Sequence, residues 1–252
     1  MLGITIAGSL RKHLGLGDQI QFSSFPENYF LNKGEKVIDL DNNPIFDFNP
    51  YIVRGLKPTK VLDLWFMTDG RKYLPKKWIP SISERNSWYA GLDKCYIRHP
   101  KLYLHEDIPL KPKQICVHLT GVSTGNCPDE VADQIRKNYK DFDIAQIGLS
   151  TDKQYGQFED KRGLSFWDSA KVIAESLIFI GVSSSMMNVA ACYPRAIKKI
   201  IITESDEERA AVMDDMMPMD VERGHYHWLD WGFGFYNKTK RDIGVSYSYL
   251  KI

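Results

Sequence analysis

Cysteine is scarce, with four in 252 residues, and Cys95, Cys116, Cys127 and Cys192 form no Cys-x-x-Cys pair and no regular spacing. That excludes a disulfide-held scaffold and the usual structural zinc spacings. Cys116 and Cys192 sit in apolar surroundings, as free buried thiols of a reducing compartment do. No run of about 18 apolar residues is present, so no membrane-spanning helix is expected. The N-terminus lacks a basic region followed by an apolar run and a small-residue cleavage site, and a cytoplasmic location is expected. An excess of one charge is missing too: 33 Lys and Arg against 32 Asp and Glu leave a net charge of +1, which gives no protein-wide attraction to nucleic acid or anionic lipid. Internal repeats and low-complexity tracts are also absent. What is there, 43% hydrophobic and 26% charged residues, is the composition of a folded globular chain. Its length allows one large domain or two of roughly 100 to 150 residues.

Short β-branched runs alternate with amphipathic segments, which predicts an α/β fold with mostly parallel strands. In the first half the pattern predicts a helix over Asp18 to Phe30 and strands over Lys36–Leu40 and Lys60–Trp65. His105 to Lys113, with Pro109, Pro112 and mixed charges, reads as a linker. The expected domains are therefore 1–108 and 109–252. Beyond the linker, Gln114–Leu119 reads as a strand, Pro128 opens a helix carrying Val131, Ile135 and Tyr139, and Asp143–Ile147 reads as the next strand. Ser165 and Asp168 resemble a capping box before a helix running toward Leu177. The apolar run Leu177–Ile180 ends on Gly181, and Ser183, Ser184 and Ser185 precede a helix over Met186–Cys192. A last strand is expected at Ile197–Ile202. Ser205 and Glu208 make a second capping box before a helix ending near Pro218, and the aromatic tail from Gly224 gives no clear pattern.

Two segments can carry chemistry. In Gly181–Ala191 a buried strand empties into hydroxyl residues at a helix start, where unpaired N–H groups and the positive dipole end suit a phosphate. The same serines are also the residue type that simply caps a helix. In Leu14-Gly15-Leu16-Gly17-Asp18 a glycine turn delivers a carboxylate to a helix start. It is neither a dinucleotide fingerprint nor a P-loop. Asp18 is either a helix N-cap or a general base facing a cleft.

Together, Leu16-Gly17-Asp18 and Gly181-Val182-Ser183-Ser184-Ser185-Met186-Met187-Asn188-Val189-Ala190-Ala191 resemble the Leu-Gly-Asp turn and the Gly-Val-Asp-Ser-Gly-Pro-Met-His-Leu-Ala-Ala stretch of the heptosyltransferase-type glycosyltransferases, glycosyltransferase family 9. The resemblance implies a GT-B-like fold, two Rossmann-like domains with mostly parallel sheets facing across a cleft. It implies an inverting, metal-independent sugar transfer from a nucleoside diphosphate sugar as co-substrate, with no resident cofactor. Asp18 would be the base. Gly17, Thr120, Ser123, Thr124, Gly148, Ser183, Ser184, Ser185, Met186 and Asn188 would bind the donor, with diphosphate at the serines and nucleoside at the Thr120 to Thr124 and Gly148 strand ends.

The chain departs from that pattern at Ser183, Ser185, Met186 and Asn188, where the family has Asp, Gly, Pro and His. Donor recognition would then rest on hydroxyl and amide groups. The family's phosphate-contacting lysine has no counterpart in Leu119–Asn126. The implied acceptor is a glycan of the lipopolysaccharide type. A modified DNA base is the alternative, with Lys57, Lys60, Arg71, Lys72, Lys76 and Lys77 as phosphate contacts. A non-catalytic binding module is a third reading. His225-x-His227 lacks further ligands at a recognisable spacing, so no metal is expected. Met213, Met216, Met217 and Met219 read as packing, and Arg195, Lys198 and Lys199 as a solvated basic patch.

Overall fold

The computed structural model describes residues 1–6, 15–64, 82–104, 107–121, 125–193, 195–202, 219–220, 225–226 and 247–251. They form two compact units, one built on Met1–His105 and one on Glu106–Leu229 with Ser246–Ile252.

The first unit contains β1 (Leu2–Thr5), α1 (Leu16–Ile20), α2 (Phe25–Lys33), β2 (Val37–Asp39), β3 (Ile52–Val53), β4 (Lys60–Asp63) and α3 (Ile82–Tyr89). Its sheet has the order β3-β2-β1-β4, with every neighbouring pair parallel. Leu2, Ile4, Val37 and Ile38 are buried at its centre, so these strands are held by apolar burial on a short span. The N-terminal strand β1 was not anticipated, because Leu2–Thr5 is too short to show a pattern. Lys60–Trp65 shortens to β4, and Trp65 lies outside the described residues. The single helix expected over Asp18 to Phe30 is two helices. Pro26 stands in the first turn of α2 and has no N–H to continue α1, so the chain turns through Gln21–Ser24 on Phe22 N–H to Gln19 O and Ser23 N–H to Ile20 O, both 3.0 Å.

The second unit contains β5 (Lys111–His118), β6 (Thr120–Gly121), β7 (Gly125–Asn126), α4 (Asp129–Asn138), β8 (Asp143–Gly148), β9 (Glu159–Arg162), α5 (Phe166–Glu175), β10 (Ser176–Val182), α6 (Ser185–Ala191), β11 (Ile197–Ile202), β12 (Met219–Asp220), β13 (His225–Tyr226) and β14 (Tyr247–Lys251). Its parallel sheet runs β14-β11-β10-β5-β8-β9. The first strand, β5, is central. The next two lie on one side of it, and β10, β11 and β14 lie on the other, so the order reverses between β5 and β10.

Side chains alternate across this sheet. Ile115, Val117, Ile178, Ile180 and Val182 form one buried cluster with Val131, Ala132 and Ile135 of α4. On β5 the alternate residues Gln114, Cys116 and His118 share the other face. Gln114 there donates to Ser176 Oγ at 3.1 Å, just past α5. The linker expected over His105 to Lys113 gives way at Lys111 to β5, and Pro112 is accommodated where the β5–β10 register shifts between Ser176 and Ile178. Strand β9, Glu-Asp-Lys-Arg, carries no apolar signal. Its charges suit a sheet edge that must not pair with another chain. The tail supplies β14. The helix expected before Pro218 lies outside the described residues, as do Met213, Met216 and Met217, and Met219 belongs to a strand. Among the described residues no helix is long and apolar enough to cross a membrane.

Candidate functional site at the strand crossover

In a doubly wound parallel sheet the crevice where strand order reverses opens at the carboxyl ends of the strands, and ligands bind there. In the second unit that point is marked by His118, the last residue of β5, and Ser184, which follows β10. His118 Nδ1 lies 2.9 Å from Ser184 Oγ. His118 is 7% exposed, and burial pushes its imidazole down to about 4 against the opposing pull of the Asp152 carboxylate. It is therefore neutral at physiological pH. The pair is joined by this one hydrogen bond, across the strand ends of β5 and β10.

The two helix-start serines of this unit behave differently. Ser165 is the N-cap of α5 and accepts from Asp168 N–H at 3.1 Å. Ser184 holds the N-cap position of α6 in extended conformation, and its side chain makes no capping bond. The plain capping reading of Ser184 is thus overturned: its hydroxyl is turned to His118. Ser183, Ser185 and Met186 are half-buried beside it. Asn188 is 5% exposed, and its Oδ1 is buried without a hydrogen-bond partner. Gly181 is tightly enclosed, since a Cβ there would stand 2.8 Å from the Phe179 ring and 3.1 Å from His118 O.

On the other side of β5, Thr120 Oγ1 donates to Asn126 Oδ1 at 2.8 Å across the β6–β7 pair. Ser123 and Thr124 lie outside the described residues. Gly148 has φ +147, and a Cβ there would lie 2.4 Å from Asp152 Oδ2. Asp152 in turn accepts from Leu149 N–H at 2.8 Å. Glycine is favoured at that strand end by its positive φ. Gly163 N–H donates to Gly148 O at 2.8 Å, which brings the ends of β8 and β9 together and leaves Leu149 and Leu164 exposed at 68% and 40%.

In the first unit, Gly15 holds the N-cap position of α1, and Gly17 and Asp18 are its second and third residues. The N-cap reading of Asp18 is therefore replaced by a position in the first turn of α1. The strand ends here carry a charge network absent from the sequence reading. Asp39 Oδ2 accepts from Arg54 Nε and Nη2 at 3.2 and 3.1 Å and from Asn43 N–H at 2.8 Å. Arg54 also pairs with Asp47 at 3.0 Å. Asp41 accepts from Thr5 Oγ1 and Ile6 N–H. Lys57 and Lys60 are exposed, while Arg71, Lys72, Lys76 and Lys77 lie outside the described residues. His225 pairs with Asp220 in the β12–β13 ladder, and His227 lies outside the described residues. Among the described residues no three His, Cys, Asp or Glu side chains converge to hold a metal.

Sequence reasoning missed His118. The available signal was a titratable residue at the last position of an otherwise apolar strand, immediately before Leu-Thr-Gly.

No protein-family model matches the chain, and no curated protein matches it. Solved structures do. A glycosyltransferase family 9 protein from Veillonella parvula matches with TM-score 0.65 at 9% identity, over 100% of this chain and 85% of that one. The Escherichia coli heptosyltransferase WaaC, solved with ADP, matches with TM-score 0.57 at 9% identity over 80% of this chain and 87% of that one. The iron-containing dodecameric glycosyltransferase TibC of enterotoxigenic E. coli matches with TM-score 0.55 at 15% identity. The alignment with TibC covers 79% of this chain and spans 58% of TibC's length. At these identities the likeness establishes the fold, the GT-B-like α/β architecture with parallel sheets. Heptosyltransferases and family 9 enzymes are also the proteins that the Leu16–Asp18 and Gly181–Ala191 segments resemble.

Proposed function

We propose that the chain is an inverting, metal-independent glycosyltransferase that moves a sugar from a nucleoside diphosphate sugar to an acceptor hydroxyl. The observation that carries this reading is the hydroxyl-rich crossover between β5 and β10, in a fold shared with heptosyltransferases. Residues 109–252 form the donor side and residues 1–108 the acceptor side. The diphosphate sits against Ser183, Ser184 and Ser185, with Met186 beside it. The nucleoside lies toward Thr120, Ser123, Thr124 and Gly148, where exposed Leu149 and Leu164 offer apolar surface to a base. Asn188, buried in α6 with its Oδ1 unpartnered, completes the donor-binding set. Gly17, beside Asp18 in the first turn of α1, joins the donor-binding set.

In a single displacement the acceptor oxygen attacks the anomeric carbon opposite the diphosphate, and that carbon's bond to the diphosphate oxygen breaks. The acceptor proton passes to Asp18. Hydroxyl and N–H donors take up the charge on the leaving diphosphate in place of a cation. The co-substrate is the only small molecule this chemistry needs, and buried free thiols at Cys116, Cys127 and Cys192 suit a cytoplasmic enzyme. A surface glycan of the lipopolysaccharide type is the acceptor on this reading.

A thermal-shift screen of ADP-, UDP-, GDP- and CDP-sugars tests donor binding, because a ligand at 100-fold over its dissociation constant stabilises by about 2.7 kcal/mol. One donor is expected to shift the melting temperature. No shift with any of them would favour a non-catalytic module. With that donor, Asp18→Asn should lose at least about 100-fold in transfer rate, and retention within twofold would remove Asp18 as base. Ser184→Asp puts a carboxylate where the diphosphate is placed, and donor affinity should fall at least about tenfold at near-normal melting temperature. Unchanged affinity would move the donor elsewhere. Duplex DNA binding that weakens steeply with salt would replace the glycan by a modified base.

A further inference from the structure

Asp18 stands on a helix too short to hold itself. α1 has five residues, its N-cap Gly15 makes no side-chain capping bond, and its first turn closes on Gln19 N–H to Gly15 O at 3.2 Å. A single turn of that kind is unstable in water unless contacts from outside support it. At its C-terminal end, burial of Ile20 and Phe22 gives that support. At Gln19, the residue after Asp18, support comes from the turn that follows β2: Asn43 Nδ2–H donates to Gln19 Oε1 at 2.7 Å.

The other end of the Asn43 amide settles the direction of this bond. Asn43 Oδ1 accepts from Ile45 N–H at 3.1 Å, and a backbone N–H can only donate, so the amide nitrogen is the end turned to Gln19. Asn43 is buried and held along its backbone as well. Its N–H donates to Asp39 Oδ2 at 2.8 Å, and its carbonyl accepts from Arg54 Nη2 at 2.9 Å. The chain doubles back just before it at Asn42, φ 50, a left-handed conformation that Asn adopts more readily than most side chains. The same turn reaches the end of β1, where Asp41 accepts from Thr5 Oγ1 at 2.8 Å and Ile6 N–H at 2.6 Å. One turn, pinned by the Asp39–Arg54 pair, is thus bonded both to the strand that precedes the Leu16-Gly17-Asp18 segment and to the residue that follows Asp18.

Building on Asp18 as the base, we propose that Asn43 is a positioning residue: acting through Gln19, it fixes the backbone place from which Asp18 takes up the acceptor proton. A reacting group misplaced by about 1 Å can cost about 100-fold in rate. The donor belongs to the other unit on this reading, so Asn43 governs rate and leaves donor binding alone.

Two variants remove the bond from opposite sides. Asn43→Ser keeps a residue type that serves the Ile45 N–H but is too short to reach Gln19, and Gln19→Leu removes the acceptor. Hydrogen exchange read by mass spectrometry on the whole chain compares residues 15–24 with β5. Both variants should speed exchange over residues 15–24 at least about tenfold and leave β5 unchanged. Transfer is then measured from the sugar nucleotide found by thermal shift, with deacylated lipopolysaccharide as the acceptor probe. Each variant should lower kcat at least about tenfold with donor KM within about twofold. The double variant should lose no more than the worse single, because both remove one linked interaction. Gln19→Glu, which still offers an oxygen to Nδ2–H, should stay within about threefold of wild type. Unchanged exchange in Asn43→Ser overturns the inference whatever the rate does. Faster exchange with unchanged kcat, losses that multiply in the double variant, or an equal loss in Gln19→Glu overturns the positioning role alone. If Asn43→Ser does not fold, Gln19→Leu at a half-buried position decides by the same readings. Wild-type protein that transfers no sugar, or Asp18→Asn that transfers as wild type does, overturns the reading of Asp18 and this inference with it.

Discussion

The two units begin with the same parallel order, one central strand with two successors on one side and a third on the other, yet they treat their strand ends in opposite ways. In the first unit the carboxylates at the end of β2 are consumed internally. Asp39 is held by Arg54 and by two backbone N–H groups, from Asn43 and Asp41, and Asp41 ties down Thr5 and Ile6. In the second unit, among the described residues, the crossover pair His118 and Ser184 is joined by a hydrogen bond and not by an ion pair. A neutral histidine holds one serine, and the neighbouring serines are half-buried with small side chains. One topology therefore supports either a self-satisfied rim or an open one, and the local polar chemistry decides which. Fold likeness alone would not have separated the two ends.

The largest expected effect that sharpens this contrast is the pH response of the open rim. The ordinary imidazole value is about 6.5, and His118 is pushed down to about 4. As pH falls below about 6.5 the unfolded chain takes up a proton that the folded chain refuses, so stability is lost through the window from about 6.5 to 4 and changes no further below it for this group. The full difference is on the order of 3 kcal/mol. Urea unfolding of wild type and His118→Asn between pH 7 and 4 should show a steeper decline in wild type by that order. A His118 resonance titrating near 6.5 would remove the effect.

Next comes the closed rim. Asp39 has a side chain 1% exposed against Arg54 at 35%, and burial raises its carboxyl above the ordinary value despite the guanidinium. Asp39→Asn should cost about 1–3 kcal/mol in urea unfolding, because the Arg54 contact and two backbone bonds are weakened. ADP or UDP affinity should not change. A loss of nucleotide affinity without loss of stability would mean that the first unit's rim is itself a ligand site.

The parallel strands of the second unit were legible because Ile115–Val117, Ile144–Ile147, Leu177–Ile180 and Ile200–Ile202 are largely apolar runs in the sequence, and the turn after Gly181 was legible because small hydroxyl residues follow such a run. The first unit was harder. β1 is four residues long, and the α1–α2 break depends on one proline whose effect a hydrophobic period does not register. β9 was invisible for a physical reason, since an edge strand is guarded by charge and carries no apolar signal. Within the site, the serines and Gly148 could be named from sequence, whereas the His118–Ser184 bond joins residues 66 positions apart and exists only once β5 and β10 are neighbours. The same holds for Asp39 and Arg54, brought together when β2 and β3 pair.

The smallest effect compares the two serines at helix starts. Ser165 Oγ accepts from Asp168 N–H at 3.1 Å and donates to Asp168 Oδ2 at 2.6 Å, so it satisfies a first-turn donor of α5 and holds an acidic residue at the positive end of that helix. Removing it in Ser165→Ala should cost about 1 kcal/mol in stability, with diphosphate affinity in the folded protein unchanged. Ser184→Ala removes no cap, because Ser184 makes none. Its stability cost comes instead from a buried His118 nitrogen left without its partner. Chemical denaturation and calorimetry on the two variants should therefore dissociate: Ser165→Ala shifts stability alone, while Ser184→Ala also weakens the diphosphate. If both variants lose stability and neither loses affinity, the two serines are equivalent helix-start residues and the open rim of the second unit is not a phosphate site.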